Sequence, residues 1–101
     1  MNAGVAKQPE WTEVARAELA AGIAFIAQDN PAAALLVWER LEHAAELLAE
    51  HPRMGRAGAF PGTREFPVNR ATYTLIYRET PKGIEILHVM HQRQVRPLGL
   101  N

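Results

Sequence analysis

The sequence predicts an α+β fold, in which an N-terminal antiparallel helical hairpin packs on a small twisted antiparallel β-sheet. Apolar residues recur every three or four positions over about 12–50, which is the spacing of amphipathic helices. Short runs of alternating apolar and polar residues fill about 62–93, which is the period of half-buried strands. With 101 residues, the chain is expected to form a single domain over positions 1–101.

Both predicted helices begin at capping residues. Thr12 is a suitable N-cap, and Glu13 after it favours the positive end of the helix dipole. Asn30 caps a second helix, whose first position suits Pro31 because no N–H is needed there. This helix is predicted to run to about Glu50. Its buried stripe is expected to contain Ala34, Trp38, Leu41, Ala45 and Leu48.

Four residues within and after these helices carry separate predictions. Gly22 costs a helix about 1 kcal/mol relative to alanine, so it is expected to mark a close helix contact. Trp38 lies at core spacing and is interpreted as a packing residue. His43 and His51 are predicted to face solvent.

Residues 72–79 and 84–90 predict the two long strands of the sheet. Proline and glycine within residues 80–83 favour a tight hairpin turn between them. One face of the first strand is expected to carry Tyr73, Leu75 and Tyr77. One face of the second is expected to carry Ile84, Ile86, His88 and Met90.

Two further segments are assigned from turn residues. Four glycines and prolines after Pro52 predict a loop over residues 52–63. Residues 5–11 are a weak candidate for a short edge strand, since Pro9 cannot donate a ladder hydrogen bond.

The formal charge is zero overall but is divided between the two halves of the chain. Residues 1–51 carry three basic and eight acidic residues, and residues 52–101 carry eight basic and three acidic ones. Such asymmetry indicates a basic face for an anionic partner. Mutual attraction between a helical half and a sheet half explains it equally well.

Several classes of function are disfavoured by the composition. The chain has no cysteine and no serine, which excludes disulfides, thiolate metal sites and the common nucleophiles. The glycines match no phosphate-binding loop, and His88 and His91 would lie on opposite strand faces, so no metal or other cofactor is predicted. Neither a signal peptide nor a membrane span is predicted, and a cytoplasmic location is expected.

A phosphodiester-cleaving site stays open at this point. RNA cleavage through its own 2′-OH needs a base, an acid and cations, but no protein nucleophile. The basic half supplies such residue types, with Tyr77 as a further proton donor. Binding of a protein partner or of phosphates without cleavage is the alternative. The candidate partner-binding residues are Arg64, Arg70, Arg78, His91, Arg93 and Arg96.

The order of these elements and a series of short motifs resemble the RelE/ParE toxin superfamily of type II toxin–antitoxin systems. The motifs run from EWTEVARAELAAGIAFIA and QDNPAAA through HPRMGR, PGTRE and LIYR to ILHVMHQR. Together, in this order and spacing, they are most similar to the ParE branch. The resemblance implies the same helix-on-sheet fold and a growth-inhibiting toxin of a plasmid-stabilising module. It also implies a cognate antitoxin whose C-terminal segment wraps the toxin.

The two branches of this superfamily imply different targets. ParE-type members inhibit DNA gyrase and trap cleaved DNA, whereas RelE-type members cleave mRNA on the ribosome. Here Thr74 stands where RelE-type sequences typically have an arginine after the strand-opening aromatic, and the tail after Arg93 has no tyrosine. Gyrase inhibition is therefore favoured. An mRNA endoribonuclease using His91, Arg93 and Arg70 is the alternative, and an inactive binding module is a third possibility.

Overall fold

The computed structural model describes residues 6–93, in which two helices pack on a five-stranded sheet. The helices are α1 (Glu13–Asp29) and α2 (Pro31–Glu50), followed by a 3₁₀ turn at Pro52–Met54. The strands are β1 (Gln8–Trp11), β2 (Arg56–Ala57), β3 (Arg64–Pro67), β4 (Tyr73–Thr80) and β5 (Gly83–His91). The strand order is β1-β5-β4-β3-β2. This arrangement confirms the predicted α+β class.

The helical hairpin forms as its capping residues predict. The Thr12 hydroxyl oxygen accepts a hydrogen bond from the Ala15 N–H at 3.0 Å. The Asn30 side-chain oxygen likewise accepts from the Ala33 N–H at 3.0 Å, and Pro31 occupies the first turn of α2. Each side chain satisfies an N–H that has no partner within the helix.

The sheet is mixed, so the prediction of a purely antiparallel sheet is wrong at one edge. Strand β1 runs parallel to β5, from Gln8 beside Gly83 to Trp11 beside Ile86. Parallel neighbours require a long crossover, and here the helical hairpin is part of it. Strand β1 confirms the candidate edge strand, although Val5 lies outside the described residues.

The segment predicted as a loop contains regular structure. After the 3₁₀ turn, Arg56 and Ala57 form β2 and pair with Glu65 and Arg64 of β3. The strands that follow the helices therefore begin at Arg56, not at about residue 62. Two residues are too few to show a period of two, so the sequence pattern carries no sign of this strand.

A β-bulge interrupts the predicted alternation on β5. Ile76 lies opposite His88, but Tyr77 lies opposite Ile86, so Leu87 is the extra residue on β5. Beyond this point Val89, and not His88, is buried like Ile86. The placement of His88 and Met90 on the face of Ile84 and Ile86 is therefore wrong.

The core lies between the hairpin and the sheet. Its largest fully buried side chains include Leu41, Leu48, Leu75, Tyr77, Ile84 and Ile86. The interpretation of Trp38 as a core residue is wrong, because it is 40% exposed. Val37, the residue before Trp38, packs against the core instead. Trp38 therefore lies on a neighbouring, exposed face of α2.

Gly22 marks a close contact, but with the sheet and not with another helix. A Cβ at this position would lie 2.8 Å from the Tyr73 hydroxyl oxygen. We expect Gly22→Ala to lower the free energy of unfolding by about 1 kcal/mol, because overpacking outweighs alanine's better helix propensity. Urea denaturation measures this change.

A Tyr73→Phe background provides the control for that substitution. Removing the hydroxyl removes the nearest clashing atom, so the cost of Gly22→Ala is expected to shrink. An equal cost in both backgrounds would contradict the contact.

Candidate partner-binding surfaces

One groove runs between α1 and the end of the sheet where β5 finishes. This α1 groove has a volume of about 540 Å³. Tyr73 and His91 meet edge to face on its sheet side, with ring centroids 5.4 Å apart. The Arg93 N–H donates to His91 Nδ1 at 3.1 Å, which fixes the imidazole beside the groove. The lining residues are Glu18, Ala21, Gly22, Phe25, Tyr73, Val89, Met90, His91 and Arg93.

Glu18 completes the edge of β5 beside this groove. Strand β1 accompanies β5 only as far as Ile86, so the backbone beyond it needs other partners. One Glu18 carboxylate oxygen accepts from the Val89 N–H at 2.9 Å, and both oxygens lie 3.3 Å from His88 Nδ1. His88 thus binds the α1 carboxylate, while His91 contacts Tyr73. The sequence pattern gave no sign of Glu18, since an α1 position does not reveal which strand edge it reaches.

A second groove lies between α2 and the turn that joins β3 to β4. This α2 groove has a volume of about 530 Å³ and a largely apolar lining. Arg40 donates from Nη1 to the Arg70 carbonyl oxygen at 3.1 Å across its end. His43 faces solvent as predicted and lines this groove, and His51 is also exposed. The lining residues are Leu36, Glu39, Arg40, His43, Ala44, Leu47, Phe66, Pro67, Val68, Asn69 and Arg70.

The turn that presents Arg70 is conformationally strained. Arg70 has φ 64° and Thr72 has φ 59°, both in the left-handed region. That region is rare for non-glycine residues, and especially so for a β-branched threonine. The hydrogen bond from Arg40 to the Arg70 carbonyl and the bond from the Ala71 N–H to the Val68 carbonyl both contribute to holding this turn.

The predicted partner-binding residues do not form one cluster. His91 and Arg93 line the α1 groove, whereas Arg70 lines the α2 groove. Arg64 and Arg78 lie toward the other end of β4, about 13 to 17 Å from Tyr73 by strand rise. Arg96 lies outside the described residues.

Both of these remote arginines have contacts within the fold. Arg64 donates from Nη1 to the Gly55 carbonyl oxygen at 2.8 Å. Arg78 pairs with Glu85 across β4 and β5 at 2.7 Å, at an exposed site where such a pair contributes little stability. Arg64 thus supports the segment before β3, and Arg78 is partly neutralised by its neighbour.

Tyr77 is buried and stabilises the fold. It therefore cannot serve as a proton donor at an open site, the role predicted from the sequence. Its side chain is fully buried, and its hydroxyl donates to the Pro52 carbonyl oxygen at 2.7 Å. The same oxygen accepts from the Gly55 N–H at 2.9 Å. Burial raises the pKa of the Tyr77 phenol above 10.0, and this outweighs the Gly55 hydrogen bond and the Arg64 charge, which lower it.

Few direct ion pairs among the described residues join the acidic half of the chain, residues 1–51, to the basic half, residues 52–101. Within residues 6–93, the one such contact that joins them is that of the Glu18 carboxylate with the His88 imidazole, which is an ion pair only in the imidazolium form. The other two, Arg56–Glu65 and Arg78–Glu85, both lie inside the basic half. The same residues contain no group of His, Asp and Glu side chains that could hold a metal ion, and no helix long and apolar enough to cross a bilayer.

Comparisons with known proteins match nearly the whole chain. Residues 10–96 match the model of the ParE toxin of type II toxin–antitoxin systems. The Y4kP protein of Sinorhizobium fredii is 38% identical over 91 residues, covering 90% of this chain and 94% of that protein. Toxin ParE1 of Mycobacterium tuberculosis is 41% identical over 56 residues, covering 52% and 55% of the respective chains.

A solved structure carries the same fold. A chain of the chromosomal ParDE TA system from P. aeruginosa superposes with a TM-score of 0.74 at 24% identity. The match covers 84% of this chain and 95% of that chain. Family and fold agree with the resemblance found in the motifs, and the chain therefore belongs to the ParE toxin family of type II toxin–antitoxin systems.

Proposed function

We propose that this ParE-type toxin inhibits DNA gyrase and is neutralised by a cognate antitoxin. The observation that carries the gyrase assignment is the family match over residues 10–96. Gyrase works on DNA in the cytoplasm, and we place the toxin's action there. The toxin would act by binding, without chemistry of its own.

The distribution of the basic residues supports gyrase inhibition over mRNA cleavage. A ribonuclease using His91, Arg93 and Arg70 would need them around one phosphate, yet they line two separate grooves. RelE-type sequences typically have an arginine at the position of Thr74. Thr74 is 1% exposed here, so an arginine in its place would be buried and could not reach a phosphate at the surface without rearrangement. Charge stabilisation of a phosphorane requires cations already positioned at the site. The described residues do not bring such a set together.

The apolar walls of the two grooves and the arginines at their margins support an antitoxin segment as the second partner. The α1 and α2 grooves combine apolar walls with Arg93, Arg40 and Arg70 at their margins. An acidic amphipathic segment would bury its apolar side chains in such grooves and place its carboxylates near the guanidinium groups. A segment that orders on binding can follow both grooves in succession.

Expression in a bacterial host tests this proposal. We expect growth arrest with DNA-damage signalling, together with unchanged 5′ ends of translated mRNA. Co-expression of the antitoxin should restore growth. His91→Ala and Arg93→Ala should each still arrest growth, because neither residue performs chemistry in this account.

Three other outcomes would each refute a part of the proposal. New mRNA 5′ ends that disappear in both single variants would establish the ribonuclease alternative. Normal growth with stable antitoxin binding would identify an inactive binding module. Growth arrest that the antitoxin fails to relieve would refute neutralisation.

A further inference from the structure

The segment between α2 and β3, residues 52–63, presents an unusual set of outward side chains. We call it the Phe60 loop. Phe60 is 74% exposed, the highest value among the large apolar residues of positions 6–93. Met54 is also exposed, and Arg53 and Arg56 lie on the same segment. None of these residues lines the α1 or the α2 groove.

Hydrogen bonds to side chains of the sheet hold the first part of this loop in place. The fully buried Tyr77 hydroxyl binds Pro52 and Gly55, and Arg64 donates to the Gly55 carbonyl oxygen. A Cβ on Gly55 would lie 2.9 Å from the Glu65 backbone oxygen, so the loop backbone rests directly on β3. The first part of the loop is therefore fixed by the core.

A buried carboxylate and a closed turn hold the second part. Glu65 is 8% exposed and accepts hydrogen bonds from Arg56 and from the Ala59 N–H. Gly58 donates to the Thr63 carbonyl oxygen at 2.8 Å, and the Thr63 hydroxyl and N–H both donate to the Phe60 carbonyl oxygen. The backbone on either side of Phe60 is thus fixed before any partner binds.

A preorganised loop with an exposed aromatic tip has the properties of a binding anchor. Exposing a phenylalanine costs hydrophobic free energy, and fixing its backbone in advance lowers the entropy lost on association. Phenylalanine and arginine are both enriched in protein interfaces relative to the rest of the surface. Arg53 forms no ion pair within the described residues, and Arg56 stays largely exposed beside its Glu65 contact.

We propose that the Phe60 loop is the surface with which this toxin contacts its target enzyme. Phe60 would enter an apolar pocket on that protein, and carboxylates at the pocket rim would meet Arg53 and Arg56. This inference rests on the proposed function, since it identifies the contact surface of the same toxin. It separates the target-binding loop from the two grooves proposed for the antitoxin.

Phe60→Ala tests the loop, and Leu35→Ala is the matched control. Leu35 is 60% exposed on α2 and lines neither groove, so its truncation removes similar apolar surface elsewhere. We expect Phe60→Ala to raise the concentration of toxin that half-inhibits gyrase by about 30-fold or more. Leu35→Ala should stay within about threefold of the wild type, and both variants should keep their melting temperature.

Antitoxin affinity provides the second readout. Phe60→Ala should bind the antitoxin within about threefold of the wild type, because the loop shares no lining residue with the grooves. Phe60→Trp should retain inhibition, since it keeps an apolar ring. Unchanged inhibition by Phe60→Ala, an equal loss in Leu35→Ala, or a parallel loss of antitoxin binding would each overturn the inference.

Failure of the gyrase proposal itself would look different. Wild-type protein would then arrest growth without inhibiting gyrase. In that case the growth arrest caused by wild type, Phe60→Ala and Leu35→Ala is compared directly. A selective loss in Phe60→Ala would retain the loop as the target contact, and equal arrest by all three would overturn it.

Discussion

Gly55→Ala is expected to lower the free energy of unfolding by about 3 kcal/mol. The added methyl group would overlap the Tyr77 hydroxyl and lie 2.9 Å from the backbone oxygen of Glu65. The backbone of a paired strand cannot move aside without breaking the β2–β3 ladder, so strain of this kind is costly. Chemical denaturation monitored by the two tryptophans measures the loss.

Gly62→Ala is the control for that substitution. Gly62 has φ 81°, but a Cβ there would meet no atom within 4 Å. Its replacement should therefore cost only the backbone strain of an L-residue in the left-handed region, about 1 kcal/mol. If Gly62→Ala proved the more destabilising of the two, the close packing of Gly55 would be refuted.

Tyr77→Phe is expected to cost about 2 kcal/mol of stability and to loosen the Phe60 loop. The substitution leaves the Gly55 N–H and the Pro52 carbonyl without the phenolic partner that both bind. Faster hydrogen exchange at Gly55 should accompany the loss, since that N–H would no longer be held. Tyr73→Phe, by comparison, should change stability by less than about 0.5 kcal/mol.

The same hydroxyl makes the wild-type protein sensitive to alkaline pH. Burial raises the pKa of Tyr77 in the folded state above the ordinary value of 10.0. The folded state then holds a proton that the unfolded state has already released, so stability falls as pH rises through that window. Tyr77→Phe should show a shallower decline above pH 10.0 than the wild type, and parallel curves would contradict the shift.

The helical half of the fold could be predicted because its signals are local. Thr12, Asn30 and Pro31 define the helix starts through short-range capping geometry, and each is confirmed. The two long strands were likewise predicted within one residue at each end. Period and turn chemistry reach only a few residues along the chain, and these elements need nothing more.

The sequence predictions were wrong where contacts between distant parts of the chain determine the structure. The parallel pairing of β1 with β5 joins residues more than 70 positions apart, and no local pattern encodes it. The bulge at Leu87 shifts the buried face by one residue, which is enough to misplace His88 and Met90. Trp38 has the spacing of a core residue, but Val37 takes the core-facing position on that turn of α2.

The candidate surfaces were predictable by residue type but not by arrangement. The sequence singled out Arg70, His91 and Arg93, and it could not reveal that they line two grooves. Glu18 and Arg40 were missed because their roles depend on which strand edge or turn lies opposite. Phe60 gave no signal, because exposure of an apolar residue cannot be recognised from a glycine-rich segment.

Supercoiling by purified gyrase is the measurement that tests the proposed function most directly. Relaxed plasmid, gyrase and ATP are incubated with increasing amounts of the toxin, with and without the antitoxin. We expect loss of supercoiling and accumulation of gyrase-cleaved linear DNA, both relieved by the antitoxin. Full supercoiling without cleaved DNA, at a large molar excess of well-folded toxin, would contradict it.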